Sequence, residues 1–239
     1  MSTELVDGVS IVRFDHPPVN ALDLDLLDDL IVTMRGLDGP VVLTGAGRCF
    51  SAGADPPAVV AGGAEYTDRY MTSLSAAFLA VFDHPAPVVA AINGHAIAGG
   101  CVFAMAADIR LMSAGTIGLT ELAVGAMFPM SALEICRYAM GASVNQATLG
   151  AGTVDVSAAA ALGWVDEVVT ADELIPRATA LAHELAEYSP AAYAMTKQQL
   201  HRPARAAVDA GAETDDAVRA SWMSSETHAR MTAYMNSLH

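Results

Sequence analysis

Two short apolar runs, each cut off by a glycine-rich turn, constrain this chain more than any other feature. Residues 40–44 are apolar up to Thr44, and Gly45-Ala46-Gly47 and Cys49-Phe50-Ser51-Ala52-Gly53-Ala54-Asp55 follow. Residues 87–93 are apolar up to Asn93, and Gly94-His95-Ala96-Ile97-Ala98-Gly99-Gly100-Cys101 follow. Runs this short and this apolar predict buried strands. The turns after them have small side chains, so another group can approach the backbone closely.

The rest of the chain completes an α/β pattern. Residues 4–6 and 9–14 flank Asp7-Gly8, which predicts a β-hairpin ended by Pro17 and Pro18. Leu22, Leu26, Leu27, Leu30 and Met34 recur at helical spacing. Asp23 and Asp25 lie in that helix's first turn, where acids are favoured. Further helices are predicted at residues 64–82 and 101–107, and strands at 108–111 and 164–169. Three short helices start at Ser131, Ser143 and Ser157, each serine a candidate N-cap. Residues 172–188, 190–201, 213–221 and 225–238 all read as helix. An alternating portion (1–170) thus precedes a helical one (171–239), which either caps its own core or packs on a neighbouring subunit.

Composition narrows the function. With 53% hydrophobic and 16% charged residues the chain is globular. Its 27 acidic and 12 basic residues leave a net charge of −15, which repels nucleic acid. A nucleotide-bearing substrate is repelled too, so local arginines and backbone amides must hold one. Cys49, Cys101 and Cys136 lie too far apart for a CxxC site, which suits a reduced, cytoplasmic setting. Residues 1–10 show no signal-peptide pattern. The long apolar stretch after Arg110 contains Gly118, Glu121, Gly125 and Pro129, so no membrane span is expected. No metal-ligand spacing occurs, and no metal is expected.

Chemistry is carried by the two turns. Free amides at a helix start favour negative charge. Two turns on adjacent strands can aim two amides at one oxygen, forming an oxyanion hole for an enolate or a tetrahedral intermediate. Gly45-Ala46-Gly47 also follows a strand, but Phe50 stands where a dinucleotide fingerprint needs its third glycine.

The motifs then line up with a known family. Pro18-Val19-Asn20-Ala21-Leu22 resembles a P-x-N-A-L segment, and Phe50–Asp55 resembles an F-x-A-G-x-D turn. Asn93–Cys101 with Asp108-Ile109-Arg110 resembles an N-G-x-x-x-G-G-G-C…D-x-R block, with Ala98 replacing its first glycine. Ile117-Gly118-Leu119-Thr120-Glu121 and Gly125 resemble an F-G-x-x-E…G block. In order and spacing these are similar to the enoyl-CoA hydratase/isomerase (crotonase) superfamily over nearly the whole chain. The resemblance implies a ββα spiral core with a C-terminal helical trimerisation region, assembled as a homotrimer or a hexamer. It implies an acyl-CoA substrate, a place in fatty-acid metabolism, and no cofactor beyond the coenzyme A of that substrate. The backbone amides of Ala54 and Gly99 would form the oxyanion hole. Asn20, Ala21, Leu22, Ala52, Gly53, Asp55, Gly100 and Val102 would line the substrate and CoA path.

Hydratases of the family carry two glutamates, one directly after G-G-G-C and one ending F-G-x-x-E. Here the first position is Val102 and only Glu121 remains. Water addition uses one carboxylate to activate water and another to protonate carbon. A double-bond shift needs a single acid/base, and the family's Δ3,Δ2-enoyl-CoA isomerases resemble this arrangement. Glu121 is the one charged residue between Leu111 and Leu133, a setting that raises a carboxyl pKa. An isomerase is therefore expected. The alternatives are a hydratase (lyase) of altered activity, a non-catalytic acyl-CoA binding protein, or another thioester chemistry. Pro56-Pro57 and Gly62-Gly63 predict a mobile, gating segment after the first turn.

Overall fold

The computed structural model describes residues 1–237. Strands β1 (Ser2–Val6) and β2 (Val9–Phe14) pair antiparallel around Asp7-Gly8. Both turn residues have positive φ, 50° and 81°, as a tight hairpin turn requires. Helix α1 (Leu24–Gly36) follows, its first turn capped by the Asp23 carboxylate, which accepts from the Leu26 amide at 2.9 Å.

One unit then repeats three times: a long strand, a short strand, a helix. The first is β3 (Val41–Gly45), β4 (Cys49–Ser51) and α2 (Pro56–Phe82). The second is β5 (Val88–Ile92), β6 (His95–Ile97) and α3 (Gly99–Ala106). The third is β7 (Ile109–Met112), β8 (Thr116–Gly118), a 3₁₀ turn at Glu121–Val124 and α4 (Met130–Met140). Next come α5 (Val144–Gly150), β9 (Thr153–Asp155), α6 (Val156–Ala161) and β10 (Glu167–Val168). The tail is α7 (Ala171–Ala186), α8 (Pro190–Ala210), α9 (Ala212–Trp222) and α10 (Ser225–Ser237). The longer strands, with the two-residue β10 at the edge, build one sheet, in the order β1-β2-β3-β5-β7-β10, and three-residue strands another, β4-β6-β8-β9. The chain crosses between sheets in every repeat, which makes it the expected ββα spiral.

Register explains why the central strands carry apolar residues on both faces. Ile11, Val42 and Val89 form one row across the sheet, and Val12, Leu43 and Ala90 the next. The first row packs on Leu174, Ala178 and Ala182 of α7. The second faces the main core with α1, α2, α3 and α4. A parallel sheet covered on both faces needs apolar residues on both. The lone lysine, Lys197 of α8, is buried, and its Nζ donates to Asp108 Oδ2 at 2.9 Å.

Several local expectations change. Of the four short strands, the first two read as parts of turns in the sequence and the other two as no element, because three residues carry no alternation. Residues 56–63 are helical, not a loop: Asp55 caps the Ala58 amide at 3.1 Å, and both prolines sit in the first turn, where their missing N–H costs nothing. Gly63, at φ 71° and ψ −169°, kinks the helix there. Of the three serine caps, none acts as expected. Asp155 caps α6 at Ala158, Asp215 of α9 accepts from the Met130 amide at the start of α4, and Ser143 turns back to the Met140 carbonyl. The strand predicted at 164–169 shrinks to Glu167–Val168. The end of the helix predicted at 225–238 lies outside the described residues. No described helix is long and apolar enough to cross a membrane.

Candidate active site

The first turn is built around Asn20. This residue is buried, at φ 53°, and its Nδ2 donates to the Cys49 and Ala46 carbonyls at 2.7 and 3.0 Å. Its Oδ1 accepts from the His16 amide, and its own carbonyl accepts from Ser51 Oγ at 2.7 Å. Asn20 therefore brackets the turn. Ala21 gives its carbonyl to the His16 ring, and the Ala52 amide donates to Val19. Leu22 is buried and bridges to Ala54, through Leu22 N to Gly53 O (2.8 Å) and Asp55 N to Leu22 O (3.3 Å). That pairing leaves the Ala54 amide out of the described hydrogen bonds.

The second turn closes on the first. Gly53 has φ 85°, and a Cβ there would lie 2.8 Å from the Ile97 carbonyl oxygen and 3.1 Å from the Gly99 nitrogen. A Cβ on Gly100 would collide with the Ser51 carbonyl. Ala98 occupies φ 51°, ψ −121°, a region suited to glycine. Its amide donates to Gly118 O at 2.8 Å, and its carbonyl takes the Val102 amide, which starts α3. Gly99 is the first residue of α3, where the amide has no intrahelical acceptor. No described hydrogen bond uses it.

Glu121 faces both turns. It lines one cavity of about 30 Å³ with Ala54, Gly99, Ala98, Val102 and Trp222, and it is the one ionisable side chain there among the described residues. Its Oε2 is out of solvent and has no hydrogen-bond partner among the described residues. Burial pushes its pKa up to about 8, against the smaller opposing effect of its own and the Thr120 backbone amides. Val102, where a second carboxylate would stand, is an apolar wall. Leu74 and Phe78 of α2 and Met127, Pro129 and Ala132 before and in α4 complete the lining. The cavity has room for about one water.

The tail holds the segment that carries Glu121. Arg230 of α10 lies across Gly125, so closely that a Cβ there would collide with its side chain. Trp222 Nε1 donates to the Met127 carbonyl at 2.8 Å, and Asp215 caps Met130 at 2.8 Å. Trp222 and the tail contacts escaped sequence reasoning. A signal was present in Val218 and Trp222, one helical turn apart and both buried, but it does not say what they cover.

The sequence candidates thus sort by position. Ala54, Gly99, Val102 and Glu121 meet at the cavity, and Leu22 reaches its edge, its Cδ1 lying 2.8 Å from where a Gly99 Cβ would be. Gly53 and Gly100 make the close approach possible. Asn20, Ala21, Ala52 and Asp55 fix the first turn and its helix.

Comparison with known proteins shows the family and the fold. Residues 4–238 match the enoyl-CoA hydratase/isomerase family profile. A Thermus thermophilus relative with a provisional enoyl-CoA hydratase name is 35% identical over 164 residues, 67% of this chain and 65% of that one. The rat mitochondrial enoyl-CoA delta isomerase 1 is 29% identical over 181 residues, 72% of this chain and 63% of that one. The aligned stretches span a little under two thirds of those relatives' own lengths. The crystal structure of human mitochondrial delta3-delta2-enoyl-CoA isomerase superposes with a TM-score of 0.92 at 24% identity, covering 99% of this chain and 97% of that one, which establishes a shared fold. The chain belongs to the enoyl-CoA hydratase/isomerase family.

Proposed function

We propose that the protein shifts a double bond in an enoyl-CoA thioester. The Ala54 and Gly99 amides hold the thioester oxygen, and Glu121 removes a proton from C2 of a 3-enoyl group. The electrons move onto that oxygen as a dienolate, which the two donors stabilise. Glu121, now protonated, returns the proton at C4, and the double bond ends between C2 and C3. A pKa near 8 suits both halves, since the group must take and give a proton near neutrality. The observation that carries this reading is one carboxyl, with no ionisable companion among the described residues, in the cavity lined by both turns.

An acyl group needs more room than the cavity offers, so Leu74, Met127 and Trp222 must give way on binding. We also infer a homotrimer or a dimer of trimers. Exposed Met195 and Leu200 on α8, with Tyr138 beside it, suit burial against a second copy; light scattering tests this.

The test of function is direct. With a 3-enoyl-CoA, conjugation appears in the ultraviolet; with a 2-enoyl-CoA, hydration stays slow. Glu121→Gln lowers the shift by about 10²–10⁴-fold, the range for a general acid/base, with acyl-CoA binding retained. Hydration as fast as isomerisation would make the protein a hydratase instead. Binding without either reaction would make it an acyl-CoA binding protein.

A further inference from the structure

Residues 70, 74 and 78 of α2 share one helix face. Leu74 and Phe78 line the Glu121 cavity, and Tyr70 is the next step along that face, wholly out of solvent. Trp222, which also lines the cavity, lies over Tyr70 with ring centroids 6.1 Å apart. Tyr66 stacks on Tyr70 at 6.2 Å and 12°. In this apolar sandwich the Tyr70 hydroxyl has no hydrogen-bond partner among the described residues. Buried hydroxyls are nearly always paired, because an unpaired one loses its bonds to water. Phenylalanine would fill the same volume without that loss, so packing does not account for the hydroxyl.

We propose that Tyr70 selects the substrate: its hydroxyl donates a hydrogen bond to an uncharged oxygen, oxo or hydroxyl, on the acyl chain beyond the reacting carbons. The proposal rests on the acyl-CoA reading of the site. It assigns the bond to the state in which Leu74 and Trp222 have made room for the chain. The phenol stays protonated and is therefore a donor, because burial and the nearby charges of Asp55 and Asp23 hold its pKa well up. Those same carboxylates, the caps of α2 and α1, disfavour an acid at the chain's end.

Calorimetry on the intact protein tests this with unreactive ligands, decanoyl-CoA and its oxo derivatives carrying the carbonyl at successive chain positions. At least one oxo compound binds about five-fold more tightly than decanoyl-CoA, the worth of a net hydrogen bond. Tyr70→Phe erases that preference, leaves decanoyl-CoA binding unchanged, and melts no lower than the wild type. Equal binding of all the acyl-CoAs overturns this assignment while leaving the proposed function standing, as does a preference that survives in Tyr70→Phe. A lower melting temperature for Tyr70→Phe reveals an internal partner and overturns it too. If no acyl-CoA binds, the reading of the site itself falls, and this inference with it.

Discussion

The two sides of the cavity are held by different means. Ala54 and Gly99 sit on turns fixed mostly by backbone, with the buried Asn20 side chain bracketing the first: the Leu22–Ala54 bridge, the Ala98 amide on Gly118, and glycines that let Ser51 and Ile97 come close. Glu121 sits on a segment fixed largely by side chains of a tail far away in sequence. Asp215 reaches Met130 across 85 residues and Trp222 reaches Met127 across 95. Backbone positioning is stiff and intolerant of added atoms, whereas side-chain positioning can be weakened in steps. Damage to the first should therefore remove binding and turnover together, and damage to the second should remove turnover and shift its pH dependence.

Among changes to the framework that holds the cavity, the largest effect is expected at Gly53. Alanine there must adopt φ 85° with its Cβ 2.8 Å from the Ile97 oxygen, so the two turns are forced apart. Losing one oxyanion donor costs about 10²–10³ in turnover. Gly53→Ala should lose at least that in kcat/KM and bind acyl-CoA weakly; tight binding would show that the turns do not hold the carbonyl.

Next in size is the pH response. If the Glu121 carboxylate is the base, the wild-type rate rises about tenfold per pH unit below 8 and levels above it. Stability runs the other way. A carboxyl whose folded pKa exceeds its unfolded value stabilises the fold fully below about pH 4, and this is lost as pH rises to 8. The slope in that window is at most about 1.4 kcal/mol per pH unit, and it disappears in Glu121→Gln. Opening the cavity by Trp222→Ala costs about 3–5 kcal/mol of stability, and it admits water to Glu121. In the variant that remains folded, the kinetic midpoint moves below 8 toward the ordinary carboxylate range. An unmoved midpoint would sever the link between the tail and the acid.

Trp222→Phe is a gentler probe of the same side. It keeps an aromatic ring of smaller size and removes the hydrogen bond to Met127, leaving that carbonyl without its donor, a loss of about 1–3 kcal/mol before the lost volume is added. The expected result is a drop in kcat of about fivefold or more that exceeds any change in KM, since Trp222 also lines the cavity. A change in KM alone would place Trp222 in substrate binding rather than in holding the loop.

This contrast also explains what the sequence revealed. Gly53, Gly99 and Gly100 are visible in a linear reading because a close backbone approach demands glycine locally. Glu121 is visible because it is charged amid apolar neighbours. The short strands of the second sheet are not, since three residues such as His95–Ile97 have no period to detect. Nor is the tail's role: Asp215 reads as an ordinary first-turn acid of α9, and its bond to Met130 exists only once α9 has docked. The helical start at residues 56–63 goes unseen for the opposite reason. Its prolines and glycines suggested irregularity, yet Asp55 supplies a cap and the prolines occupy positions a helix tolerates.

Ala98 gives the smallest and sharpest test of backbone positioning. Its φ of 51° is rarely adopted by residues with a Cβ, yet the hydrogen bonds to Gly118 and Val102 on either side hold it there. Such a residue stores about 1–3 kcal/mol of strain. Glycine relieves the strain but enlarges the entropy of the unfolded chain, an opposing effect of about 0.4–1 kcal/mol. Ala98→Gly should therefore raise stability by about 1 kcal/mol in chemical denaturation. Because the bonds that set the turn are backbone bonds, Gly99 should stay in place and kcat should change less than twofold. A loss of activity in this more stable variant would mean that the methyl group, which lines the cavity beside Gly99, bears on the substrate. The turn would then select by side chain as well as by backbone, and the contrast between the two sides of the cavity would narrow.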